Sequence, residues 1–521
     1  MMKRILAFTM SFLLIASMMS SSYAVTHHWS TSLKNSLIEN KVLNTSDTLR
    51  VGDTVSYNQF SKLLNRFGLG EKISLKESDI DITRIGALKL VMDQLGYTYL
   101  ANQIKELDVP FSDIKDDKGY VRLGLDLGMI SLSYNGLFRP FDTLVSEECI
   151  ALLYHLYRIN HLNLSSLMSY YAISSYSQIG YTNALDTIAY GWSRLELDSE
   201  SNIIRLNTTA TNRNTFRVPS GYSEPITRAV NANVERLLMV SVEDSFVDSK
   251  PLTEAIISKN VYMQQAVNAI ISTMKNTQDS LKFTGVLIDF ESLKGTENAN
   301  DLSLFASTLK SQLADLGLSL AIAVHPVRKE GMSYYDGYNY RRLGQIADKV
   351  ILMAHDYYPK RLTQEEMASG ITITPLTPIQ DIYYALKGIL DPVTGVQDHS
   401  KIVFQLSMDA AQWKLRDGKI INERPYSPTS SAILSRINQN VTPQFSNELK
   451  STFLIFQDPI DETRNVIWYE DERSVDAKIN LALSMGVSNF SVWRLGTIPS
   501  AEDNNAYLNV WENILEYQNT P

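Results

Sequence analysis

One cysteine in 521 residues, Cys149, excludes any intramolecular disulfide, so the chain has to be held by packed cores. Histidine is also sparse: seven are scattered without an HExxH run or a His/Cys cluster at ligand spacing. That rules against a structural zinc, and nothing else in the sequence calls for a metal or cofactor. Positive charge is in deficit, with 48 Lys and Arg against 57 Asp and Glu and a formal charge of −9. This argues against nucleic acid and against a polybasic membrane surface as partners. Long apolar runs are missing after the first two dozen residues, where no segment reaches the ~20 apolar residues of a membrane span.

What is present begins with an address. Residues 1–24 read MMKRILAFTMSFLLIASMMSSSYA, with Lys3 and Arg4, an apolar stretch from Ile5 to Met19, and small residues flanking Tyr23. This pattern predicts an export signal cleaved after Ala24, leaving no membrane segment in the mature chain. The competing reading is an uncleaved anchor, for which the apolar core is short. The length predicts more than one domain, although a single α/β barrel can occupy roughly 250 residues.

Residues 25–160 carry a degenerate repeat. One copy runs through Phe111-Ser112-Asp113, Tyr120-Val121, Gly128-Met129-Ile130 and Phe138-Arg139-Pro140 into Leu152-Leu153-Tyr154, with a weaker copy over 28–66. Between them, residues 79–96 read as half of a third, with Thr83 placed as a helix N-cap. The pattern resembles the surface-layer homology (SLH) module, a helical repeat that fastens exported proteins to secondary cell-wall polymers. In that family an ITRAE-like segment opens the helix and its arginine helps hold an acidic polysaccharide. Ile82-Thr83-Arg84 retains it, making Thr83 and Arg84 the anchoring candidates, whereas Val55-Ser56-Tyr57 and Leu144-Val145-Ser146 lack the arginine. The alternative is a helical spacer with coincidental turns.

From residue 168 to about 515 apolar strands alternate with amphipathic stretches, the signature of repeated βα units around a parallel sheet. Strands are expected over 170–176, 186–192, 235–242, 284–291, 318–325, 349–356, 401–407 and 489–495, with helices such as Asn300–Leu316 and Ser474–Met485 between them. Eight strands predict a closed (β/α)8 barrel. The stretch from about 415 to 465 is too long for a βα connection and reads as a small α+β insertion.

The fourth strand, FTGVLIDFESL over 283–293, contains two acids two residues apart. Alternation puts Leu287, Asp289 and Glu291 on one side and Val286, Ile288 and Phe290 on the other. Two carboxylates at the end of an apolar strand point to a site that uses a raised pKa, or else to a strand end emerging into solvent. Barrel chemistry sits at the C-terminal strand ends. There the sequence supplies Asp289 and Glu291, then Met353, His355 and Asp356, then Gln405, then Trp493.

Together these residues resemble glycoside hydrolase family 18, the chitinase-like barrels, and most closely its spore-cortex N-acetylglucosaminidases. The family pattern DGxDxDxE stands as Thr284 to Glu291, MxYD stands as Met353-Ala354-His355-Asp356, and the last strand supplies Trp493. The resemblance implies substrate-assisted retention, in which the sugar's own N-acetyl group attacks the anomeric carbon. Glu291 is then the general acid, Asp289 the partner of the acetamido N–H, and Asp356 with His355 the support of the acetamide oxygen. Trp493 becomes the floor of the sugar subsite, with Tyr176, Tyr190 and Trp413 as walls beside Met353 and Gln405. The implied partners are an N-acetylglucosamine polysaccharide, in peptidoglycan or chitin, and the wall polymer of a Gram-positive-type cell surface. Leu287 replaces the family's middle aspartate and His355 its tyrosine, which keeps a catalytically silent glycan-binding barrel open as the alternative. A further alternative is a two-carboxylate glycosidase with a nucleophile about 5 Å from Glu291.

Overall fold

The computed structural model describes residues 28–132, 135–172, 175–209, 211–214, 223–327, 336–501 and 507–519; the export-signal reading of 1–24 lies outside them. Two units emerge, Met1–His161 and Leu162–Pro521. Among the described residues no helix is long and apolar enough to cross a membrane.

The described part of the first unit is helical: α1 Ser30–Glu39, α2 Tyr57–Leu64, α3 Arg84–Gln94, α4 Thr98–Gln103, α5 Lys118–Asp126 and α6 Ser146–Ile159. Two starts are capped by hydroxyls, with Ser56 accepting from the Gln59 N–H and Thr83 from the Gly86 N–H. Each cap satisfies an N–H the helix cannot, which is why these residues end extended chain and begin helix. The segments before α2, α3 and α6 meet in a ring of antiparallel bridges, Thr54 with Val145, Ser56 with Asp81 and Thr83 with Thr143. The three points matched as repeats in the sequence are thus brought together.

In the second unit eight strands close a parallel barrel: β1 Ser166–Tyr171, β2 Thr187–Asp198, β3 Glu235–Val242, β4 Gly285–Ile288, β5 Ser319–Val324, β6 Lys349–Leu352, β7 Ile402–Ser407 and β8 Asn489–Trp493. Consecutive strands from β1 to β8 pair in parallel, and β1 closes on β8; a short strand, Ile203–Asn207, adds antiparallel to the far end of β2. The interior is filled by Met168, Tyr170, Leu237, Met239, Leu287, Ala321, Ile351, Met353 and Val403. Gly285 opens β4 because a Cβ there would stand 2.6 Å from the Ser319 carbonyl oxygen.

Several boundaries differ from the sequence reading. The first strand is 166–171 rather than 170–176: Ser166 pairs with Asn489, so the Tyr-Tyr-Ala run is the strand's end, not its start. β4 and β6 leave the ladder at Ile288 and Leu352, which frees the acids that follow to form a rim. The helix expected at Asn300–Leu316 spans Gly295–Ala314, and Gly317 at φ +69° follows its end. The helix expected at Ser474–Met485 begins earlier, at Glu472, where Asp471 caps it. Between β7 and β8 lies a five-stranded antiparallel sheet that runs from Ala410 to Tyr469, wider than 415–465, with the helix Ser430–Ile437 inside it.

Candidate active site

The alternation rule carries directly into the site. Leu287 is sealed in the barrel interior, and two steps further along the same face Asp289 and then Glu291 rise above it. They line a cavity of about 140 Å³ at the C-terminal mouth together with Tyr170, Met353, His355, Asp356, Gln405, Asp409 and Trp493. Of the sequence candidates, Glu291, Asp289, Asp356, His355, Trp493, Met353 and Gln405 therefore meet in one place.

Three aromatic candidates do not line it. Tyr190 is fully buried, its ring against Tyr171 and Phe283, and its hydroxyl donates to the Pro225 carbonyl at 3.2 Å. Trp413 packs in the apolar core under the inserted sheet and donates through Nε1 to Thr374 Oγ1 at 2.7 Å. Tyr176 is exposed and donates to Glu224 at 2.7 Å. Aromatic identity and a position near a strand end did not distinguish a ring that faces the mouth from one that fills a core.

The electrostatics of the two strand ends diverge. Asp289 is largely surrounded by protein, and both burial and the neighbouring Glu291 push its pKa well above the ordinary aspartate value. Its Oδ1 is sealed from water and accepts no hydrogen bond from the described residues. Glu291 opens to water on one side, with 56% of its side chain exposed, yet protein surrounds the rest. Desolvation raises its pKa, Asp356 adds to the rise, and His355 and Lys360 oppose it. At least one proton is thereby favoured on this pair closer to neutrality than for a free acid.

Asp356 goes the other way. Burial would raise it, but hydrogen bonding and charge from His355 and Lys360 outweigh that and hold it far below the usual carboxylate range. Lys360 Nζ stands 3.0 Å from Asp356 Oδ1, while His355 Nδ1 is 3.6 Å from Oδ2. The backbone at Asp356 is left-handed, φ +64°, a conformation a non-glycine residue adopts at a cost and one that turns the carboxylate toward the mouth.

A hydrogen-bond chain sets the imidazole. Tyr170 donates to Gln405 Oε1 at 2.5 Å, and Gln405 Nε2 donates to His355 Nε2 at 2.9 Å. The ring proton is then left on Nδ1, the nitrogen facing Asp356. Trp493 meets Tyr170 edge-on, with centroids 4.9 Å apart at 61°, and lines the cavity beside it.

Four participants escaped the sequence reading. Tyr170 orients Gln405, Lys360 clamps Asp356, Asp409 adds a fourth carboxyl to the cavity, and His325 Nε2 lies 3.9 Å from Glu291 Oε2. Asp409 sits on the link from β7 into the inserted sheet; burial and then Asp356 raise its pKa against His355, Lys360 and Arg494. Two of the four carried a signal: Tyr170 as an inward residue of an expected strand, and His325 as the last residue of the strand expected over 318–325. Among the described residues, no group of three or more His, Cys, Asp or Glu is arranged to hold a metal ion.

The family described as Glycosyl hydrolases family 18 matches residues 167–497. The "Cortical fragment-lytic enzyme" of Bacillus anthracis is 22% identical over 286 residues, 54% of this chain and 61% of that protein. The chain thus spans 50% to 61% of the length of the first curated relatives it matches. The spore cortex-lytic enzyme SleL of Bacillus cereus superposes with a TM-score of 0.53 at 18% identity, covering 68% of this chain and 75% of the other. A chitinase from Chromobacterium violaceum ATCC 12472 gives 0.51 at 17% identity, covering 67% and 98%. At such identities these likenesses establish the barrel fold.

Proposed function

The chain belongs to the glycosyl hydrolases of family 18, and from that premise we propose that it is an exported, wall-associated hydrolase cleaving β-1,4 bonds at N-acetylglucosamine by substrate-assisted retention. The observation that carries this reading is the shared cavity of Glu291, Asp289, Asp356 and Trp493 at the barrel mouth. Glu291 starts protonated and gives its proton to the departing glycosidic oxygen, as a raised pKa favours. The acetamide oxygen of the same sugar attacks the anomeric carbon as that bond breaks, forming an oxazolinium-like ring. Asp289 accepts a hydrogen bond from the acetamido N–H, His355 donates from Nδ1 to the acetamide oxygen, and the ionised Asp356 offsets the positive charge of the ring that forms. The Glu291 carboxylate then takes a proton from water, which adds to the anomeric carbon and reopens the ring with retained configuration.

Peptidoglycan glycan strands are the favoured substrate over chitin, supported by relatives named as cortical fragment-lytic and cortex-lytic enzymes. Digesting purified wall and chitin side by side with parent and Glu291→Gln protein tests both points. Fragments ending in N-acetylglucosamine are expected from wall with the parent alone; activity on chitin only defeats the substrate assignment.

A silent glycan-binding barrel is the second reading, favoured by one observation. Leu287 occupies the position of the family's middle aspartate inside the barrel, so Asp289 lacks an acid below it to share its proton. Equal inactivity of parent and Glu291→Gln with retained glycan binding would select it.

For the first unit, the reading is attachment to a secondary cell-wall polymer by SLH-like repeats. Its support is the ring formed by the three matched segments and a cavity of about 380 Å³ edged by Arg84, Arg139, Thr143 and Glu148. Arg84 contacts Glu148 and donates to the Phe138 carbonyl at 2.9 Å, so its guanidinium is already oriented. Arg84→Ala is expected to reduce co-sedimentation with purified walls; unchanged sedimentation would favour a plain spacer.

A further inference from the structure

His325 follows β5 and approaches the proposed acid from outside the cavity, which it does not line. Its side chain is 13% exposed, its Nε2 is closed to water, and that nitrogen lies 3.9 Å from Glu291 Oε2. Two tyrosines fix the ring there. Tyr340 donates its hydroxyl proton to the His325 carbonyl, and Tyr338 packs its ring against the imidazole with centroids 5.7 Å apart at 58°. The Tyr338 hydroxyl in turn donates to the carbonyl of Phe290, between the two acids, at 2.7 Å. The ends of β4 and β5 are thus tied to one another through the residue that backs the imidazole.

We propose that His325 is a positioning residue for Glu291, donating a hydrogen bond from its imidazole to the carboxylate that forms when the acid has released its proton. The inference rests on the reading of Glu291 as general acid. The contact is slack at 3.9 Å; a charge-assisted bond is shorter and stronger than one to a neutral acid, so the contact favours the state after proton transfer over the state before it. Such a donor is useful here because Leu287, on the face below, offers no hydrogen bond to the acid pair. The other groups bearing on Glu291 are Asp289 on its own strand end, His355 and Asp356 after β6, Lys360 beyond them, and Tyr338.

The test uses the full chain with His325→Phe, which keeps a ring against Tyr338 but loses the donor, and His325→Gln, which keeps a donor. Two readouts are taken: the Glu291 carboxyl titration by carbon NMR, and kcat and KM on an N-acetylglucosamine oligomer. For His325→Phe the Glu291 midpoint is expected to move up, and kcat to fall about tenfold with KM within about twofold, one lost hydrogen bond in the transition state. His325→Gln is expected to recover part of both. An unchanged midpoint in His325→Phe overturns the inference, whether or not the parent is active. A shifted midpoint in a parent that cleaves nothing leaves the contact standing and refutes the hydrolase reading instead.

Discussion

The ends of β4 and β6 face one cavity, yet they treat their carboxyls in opposite ways. Asp289 and Glu291 follow an apolar strand, and among the described residues no lysine or arginine pairs with either; their pKa values rise. Asp356 is also partly withdrawn from water, but Lys360 at 3.0 Å and His355 at 3.6 Å reverse the effect and keep it ionised. Burial alone therefore does not assign a role to an acid. What decides is whether a cation or donor accompanies the carboxyl into the low-dielectric mouth. One strand end is built to hold a proton and the other to hold a charge.

The comparison breaks most severely if the proton-holding end is neutralised. Glu291→Gln is expected to lower kcat about 1000-fold, with glycan binding retained, as checked by reducing-end release and by binding isotherms. A loss under tenfold would place the acid elsewhere. Removing the charge at the other end has a smaller effect: Asp356→Asn is expected to lower kcat by about 100-fold, because on the proposed mechanism the positively charged ring loses one carboxylate nearby while the acid remains.

The contrast is sharpened by Lys360→Met. Lys360 lowers the pKa of both Asp356 and Glu291, so its removal raises both. The alkaline limb of the kcat/KM profile, which reports loss of the proton from the acid, is expected to move to higher pH. A limb that stays in place or moves down would show that Lys360 is not felt at Glu291.

The smallest effects appear in stability, with opposite signs. Below the ordinary aspartate value of 3.8, Asp289 is protonated in both folded and unfolded chains and has no influence. As pH rises the unfolded chain releases this proton first, so Asp289 subtracts stability from there up to its native pKa. Asp289→Asn is therefore expected to raise Tm at pH 7 by about 2 °C, the gain vanishing in acid. Asp356, depressed in the fold, adds stability above 3.8 and loses it as pH falls toward its native pKa. Asp356→Asn is expected to lower Tm at pH 7 by a similar amount, the difference closing in acid. Thermal melts across pH check both signs.

Much of this contrast was legible in the sequence where a strict period operates. Two-residue alternation placed Leu287, Asp289 and Glu291 on one face, and the spacing of apolar runs foretold eight strands. Motif order brought in Asp356, His355 and Trp493. What escaped were residues whose importance is tertiary. Lys360 lies in a loop four residues past Asp356, and Asp409 lies on a link between two sheets; neither position has a period to betray it. Tyr190 and Trp413 failed as subsite walls for a related reason. A large ring beside a strand end serves the core as readily as the mouth, and only the Pro225 and Thr374 hydrogen bonds tell which. His355 could be placed but not assigned a tautomer until Tyr170 and Gln405 were seen to orient it.

Carboxyl-carbon NMR of the full chain across pH, with Glu291→Gln and Asp356→Asn to assign the signals, tests the division of labour between the two strand ends. Glu291 is predicted to titrate above 4.5 and Asp356 below 3.8. Midpoints in the reverse order, or both at their ordinary values, would contradict it.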